Sequence, residues 1–128
     1  MTRYMLGIHP RCTGYTPENT PMEGGQLDCH GNPLHTLQDF LTGSADFVSV
    51  AADKLLKIPY GAPLCIPAFD RHYGTNIKFR VVDHGGDFVG AGWSHIDICT
   101  ADQKHANDAF LNNTYDAVVL LGDTNGAS

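Results

Sequence analysis

A chain of 128 residues, 42% of them hydrophobic, is sized for one domain around one core, and that apolar content excludes a disordered polymer. The formal charge of −6, with only eight Lys and Arg along the whole chain, argues against a phosphate-backbone partner, so no nucleic acid is expected. No apolar run reaches the ~20 residues that span a bilayer, and residues 1–10 (MTRYMLGIHP), broken by His9 and Pro10, do not resemble a secretory leader.

In chain order, Cys12–Tyr15 reads as an opening strand. A helix is expected over Pro33–Leu41, with Asn32 as its cap, Pro33 in its first turn and Gly43 beyond its end. Leu34, Leu37, Phe40 and Leu41 would share its apolar face. Short runs rich in Val, Ile and Phe then read as strands: Phe47–Ala51, Leu64–Pro67, Ile77–Val82, Ile96–Cys99 and Ala117–Leu121. Turn clusters separate them at Pro59-Tyr60-Gly61, His72-Tyr73-Gly74 and His84-Gly85-Gly86. A second helix is expected from about Ala101 to Leu111, with Thr100 and Gln103 spaced as a capping box. Gly122 to Ser128 reads as a loose polar tail. Many short strands with two inserted helices predict a small barrel in a single domain over 1–128.

The four cysteines, Cys12, Cys29, Cys65 and Cys99, form no CxxC pair. That spacing argues against a zinc knuckle and leaves two disulfides or four packed thiols open. The seven histidines show no H-x-x-x-H or H-E-x-x-H arrangement. His84 and His95 flank two aspartates, which makes a metal-dependent hydrolase the third choice of function. No metal or other cofactor is assigned.

The stretch RVVDHGGDFVGAGWSHIDICT, Arg80 to Thr100, carries the chemistry. An apolar strand delivers Asp83 to its end, and a glycine-rich turn leads to a second strand holding Asp97 between Ile96 and Ile98. Side chains alternate along a strand, so isoleucines in the core would turn Asp97 to a groove. Two carboxylates at neighbouring strand ends suit glycosidic cleavage, which needs one protonated near neutral pH. Asp97, flanked by isoleucines, is the better acid, and Asp83 assists. The competing role for both is to bind turn amides. Gly85 and Gly86 would let a polymer approach the backbone. Trp93 and Tyr15 offer faces for sugar rings, whereas Tyr60 reads as core packing. Thr13 shares a strand face with Tyr15, and Glu23 is a candidate second acid, though a surface-loop role fits it better.

The segment DHGGDFVGAGWSHID resembles the signature of the 3D domain, named for three aspartates, in which D-T-G-G-x-I-x-G precedes an I-D-x strand. This domain occurs in MltA-type lytic transglycosylases and in stationary-phase-survival and cell-wall-associated proteins. Thr13-Gly14-Tyr15-Thr16-Pro17 is similar to its opening T-x-Y-T-P strand. Val48–Asp53 with Ile58-Pro59-Tyr60-Gly61 is similar to its I-A-V-D segment and I-P-x-G turn, and Gly74 falls where the family has Y-G. The three aspartates would be Asp53, Asp83 and Asp97. The chain departs from the pattern at His84, at Asp87, in the Gly90 to Asp97 spacing and in an extension from Glu23 to Gly43.

The resemblance implies a six-stranded double-psi β-barrel with one or two inserted helices. It further implies a groove in which Asp97 serves as acid and base with Asp83 assisting, and in which Asp53, Thr13, Tyr15, Gly85, Gly86, Trp93 and Glu23 bind substrate. The implied reaction cleaves the bond between MurNAc and GlcNAc in peptidoglycan and leaves a 1,6-anhydro product. The protein would act as a monomer at the cell wall. A glycan-binding module that does not cut, and a hydrolase like the endoglucanases and expansins that share the barrel, are the alternatives.

Overall fold

The computed structural model describes residues 4–17, 26–85 and 89–121. In chain order the elements are β1 (Tyr4–Ile8), β2 (Arg11–Tyr15), α1 (Leu37–Leu41), β3 (Val48–Ala52), β4 (Ala62–Cys65), α2 (Pro67–Tyr73), β5 (Phe79–His84), a 3-10 turn (Gly92–Ser94), β6 (His95–Cys99), α3 (Gln103–Ala106) and β7 (Ala117–Leu121). The fold is mainly β. Its strands make one seven-stranded mixed sheet in the order β1-β7-β4-β5-β3-β6-β2, curled into an open half-barrel.

Proline sets the corner of that curl. β1 and β2 are separated by His9 and Pro10 alone, yet β1 pairs with β7 and β2 with β6, at opposite ends of the strand order. Pro10 has no N–H to extend a ladder. Its carbonyl accepts the Tyr115 amide, and Cys12 N–H donates to Asn113 O, so the segment before β7 lies against the start of β2.

Central β3 is buried along its whole length. Val48, Val50 and Ala52 point into the core with Cys12, Phe79, Val81, Ile96 and Ile98. Phe69 of α2 is fully buried, edge-on to Phe79 at 5.6 Å and to Phe110 at 5.0 Å. Side chains of this size contribute about 1.5–3 kcal/mol each on burial.

Three local expectations are corrected. The strand expected over Leu64–Pro67 stops at Cys65, because Pro67 opens a helix, where its missing N–H costs nothing. That helix, α2, ends at Gly74, whose φ of 70° only glycine adopts freely. The helix expected from Pro33 shrinks to α1, capped by Thr36 Oγ1 on the Asp39 amide, while Pro33 bridges to Leu27. The helix expected from Ala101 shrinks to α3, capped by Asp102, because the buried Thr100 hydroxyl donates to Tyr15 O. All four cysteines are free thiols, Cys12 and Cys99 buried, Cys29 and Cys65 exposed. Among the described residues no helix is long and apolar enough to cross a membrane.

Candidate functional site

Ala51 is the reference point. On one side its register partner is Asp83 of β5, and on the other it is Asp97 of β6. Asp97 in turn stands opposite Thr13 of β2. The four residues form a row across four strands on the face turned away from the core. Strand spacing near 4.8 Å puts the two aspartate backbones about 10 Å apart across Ala51. Ala51 itself is 2% exposed, and the buried Tyr15 phenol lies near both carboxylates.

Asp97 reaches this face as the alternation predicted, since Ile96 and Ile98 are fully buried on the other. His95, two residues earlier, shares its face. The His95 Nε2 atom lies 3.1 Å from Asp97 Oδ1 and 2.8 Å from Thr13 Oγ1, and the Thr13 hydroxyl donates to Asp97. A proton on Nε2 serves both oxygens. The His95 and Asp97 side chains keep 29% and 21% of their surface exposed, enough for a ligand to reach them. Sequence reasoning weighed His95 only with His84, as metal ligands beside the aspartates; the H-x-D spacing within a strand was the signal for its contact with Asp97.

Asp83 arrives by a different route. β5 carries a bulge, with Val81 opposite Val50 but Asp83 opposite Ala51. Burial raises the Asp83 carboxyl above the ordinary carboxylate range, and the charge of Asp28 adds to this. The His84 backbone amide and the His84 charge pull it partly back. Tyr15 is placed near both aspartates, and burial, with the Cys99 thiol and the two carboxylates adding to it, drives its phenol far up. The Tyr15 hydroxyl is buried beside Cys99, its register partner, and burial pushes that thiol up to about 12.

Asp53 sits differently from the other two aspartates. It is 2% exposed, and its carboxylate accepts the amides of Leu55 at 2.9 Å and of Gly90 and Gly92 at 2.8 Å. These bonds hold its carboxyl below the usual range. Its work is to fix the glycine-rich loop ahead of β6, where Gly90 and Gly92 take φ of 93° and 62°. Gly85 is tied by its amide to Ala52 O at 3.0 Å. Trp93 lies in the 3-10 turn, half-buried and packed against the core. Glu23 and Gly86 fall outside the described residues, as does Asp87.

A pocket of about 370 Å³ opens on the other side of Asp83. Val82 and Ile58 give it apolar walls, and Asp83, His84, His30 and Tyr60 give it a polar rim. Tyr60, expected in the core, is instead 39% exposed and stacked on His30 at 3.8 Å with the rings 4° from parallel. Its hydroxyl donates to Asp28 and accepts from Asn32 Nδ2. That hydrogen-bonding keeps it at the rim. Among the described residues no three His, Cys, Asp or Glu side chains are placed to hold a metal ion. Comparison of the chain with family models, curated proteins and solved structures gives no match in any of the three.

Proposed function

We propose that the protein cleaves the glycan strands of peptidoglycan as a lytic transglycosylase, using Asp83 and Asp97. The observation that carries this reading is the common opposition of both aspartates to Ala51, on one face, with Asp83 desolvated and Asp97 hydrogen-bonded. Burial raises one carboxyl while polar side chains surround the other, and such unlike environments suit an acid and its partner base. The burial that raises its carboxyl suits Asp83 to donate to the oxygen between MurNAc and GlcNAc. Asp97, which accepts from Thr13 and lies 3.1 Å from His95 Nε2, would take the proton of the sugar's C6 hydroxyl as that oxygen closes on C1. The product is a 1,6-anhydro sugar, no water is consumed, and solvent returns the proton from Asp97 to Asp83. This assigns the acid to Asp83, where sequence alone favoured Asp97, because burial falls on Asp83.

The likeness of the D-H-G-G and I-D-I segments to the 3D domain supports the same reading, and with it a double-psi connection of the strands and action at the cell wall. Digestion of purified peptidoglycan followed by mass analysis tests it. Products lighter by one water than hydrolysis products are expected from the wild type, with cleavage strongly reduced in both Asp83→Asn and Asp97→Asn. Hydrolysis products would move the protein to the related hydrolases. A second reading, a module that grips glycan without cutting it, draws on the Thr13–His95–Asp97 cluster, whose polar atoms already engage one another. Binding to sacculi with no soluble product released would favour it.

A further inference from the structure

Val82 is the residue that the sheet leaves over. On the β3 side the register passes from Val81 to Asp83, and pairing with β4 stops at Val81. The Val82 carbonyl is taken instead by Cys29, whose N–H lies 3.3 Å away and whose Sγ lies 3.0 Å away. Cys29 belongs to a loop, 27–33, closed by the bridge between Leu27 and Pro33. Inside the loop, Asp28 Oδ1 accepts the amides of His30 at 2.9 Å and Asn32 at 3.0 Å, and its other oxygen takes the Tyr60 hydroxyl. The loop is therefore braced on its own side and bonded to β5 at the bulge.

The bulge decides where Asp83 points. Phe79 and Val81 face the core, and in a regular pleat Asp83, two residues on, would follow them there. One extra residue reverses the alternation and puts Asp83 on the Ala51 face. A bulged carbonyl without a ladder partner needs another donor to persist away from water. Cys29 supplies two.

We infer that Cys29 is a positioning residue: its thiol and amide hold the Val82 bulge that turns Asp83 onto the Ala51 face it shares with Asp97. The inference rests on the catalytic reading of Asp83 given above, and it names the residue that sets that carboxyl in place. The Cys29 thiol is exposed, and it lines the pocket beside Asp83, so a reagent can reach the contact. The backbone amide persists in any variant, so substitution reads the share held by the thiol.

The test uses the full chain carrying Cys65→Ser, which removes the other exposed thiol of the described residues. The Asp83 carboxyl is titrated by carbon NMR in this background, in Cys29→Ala, in Cys29→Ser and after alkylation with iodoacetamide. The Asp83 midpoint should move from its wild-type position in Cys29→Ala and in the alkylated protein, and rise further if the lost bulge turns the carboxyl toward the core. It should stay at that position in Cys29→Ser, whose hydroxyl can still donate to the Val82 carbonyl. Peptidoglycan cleavage should fall about 10- to 100-fold in Cys29→Ala, the cost of a displaced catalytic group. A wild-type midpoint in folded Cys29→Ala overturns the inference. If that variant does not fold, an unmoved midpoint in the alkylated protein overturns it. The titration needs no turnover, so a wild type that cuts no glycan but shows these shifts removes the proposed reaction and keeps the role of Cys29.

Discussion

A β-carbon added to Gly14 would lie 2.7 Å from Ala106 Cα and 2.8 Å from Ala106 O. Both are backbone atoms of α3, so the clash cannot be relieved by turning a side chain. The bare glycine is what lets α3 close over β2 next to Thr13. Gly14→Ala should cost about 1–3 kcal/mol, the usual penalty of overpacking. Urea unfolding checks this, and an unchanged midpoint would mean that α3 is not seated there.

Asp83 should make stability depend on pH. Its folded-state pKa is raised above the ordinary 3.8. A raised carboxyl contributes stability that is fully present below the unfolded value and is lost as pH climbs through the folded value. Asp83→Asn stays neutral throughout. The wild type should therefore match the variant in acid and fall behind it as pH passes upward through the Asp83 titration. Thermal melts from pH 3 to pH 8 read the difference, and parallel curves would refute it.

Asp53 should act in the opposite sense. Its carboxyl is held down by the amides of Leu55, Gly92 and Gly90. A depressed carboxyl contributes stability above the unfolded value, and that stability is lost as pH falls through the folded one. Asp53→Asn should remove part of the acid sensitivity below the ordinary value of 3.8. It should also speed hydrogen exchange at Gly90 and Gly92, which NMR resolves amide by amide.

Substitutions around Asp97 separate charge from position. Asp97→Asn removes a group asked to accept a proton, and turnover should fall by about 10²–10⁴-fold. His95→Gln keeps a donor near Asp97 Oδ1 and Thr13→Val removes one, so Thr13→Val should show the larger loss of the two. Initial rates on the same glycan across pH decide the order.

Phe69→Ala probes the core under α2. Phe69 is fully buried against Phe79, Phe110 and Tyr115. The loss should be about 3–5 kcal/mol, as for other buried aromatics cut to alanine. Denaturant unfolding gives the value directly.

The legible parts of this molecule were those that adjacent residues decide. Alternation of Ile96, Asp97 and Ile98 placed Asp97 on the open face, and Val- and Ile-rich runs located β3, β6 and β7. Pro67 was ambiguous, because proline closes a strand as readily as it opens a helix, and α2 was lost to that ambiguity. β1 was passed over because Tyr4–Ile8 carries no alternation and is exposed at nearly every position. The bulge at Val82 has no local mark, since its carbonyl is claimed by Cys29, 53 residues earlier. Asp53 is claimed by Gly90 and Gly92, 37 and 39 residues later. Partners at such separations follow from tertiary packing, which residue order does not display.

The Thr13–Asp97 contact has a kinetic consequence, for it joins residues 84 positions apart. Closing so long a loop forfeits chain entropy before any bond rewards it. Sheets dominated by such distant pairings fold on the scale of milliseconds to seconds, roughly a thousandfold slower than helical bundles. The row across the four strands should then be completed among the last steps of folding, and a nascent chain should lack the hydrogen-bonded trio until β6 has docked. Mutations that slow β6 docking would leave a longer-lived, sticky intermediate, visible as a lag in refolding and a rise in light scattering at micromolar concentration.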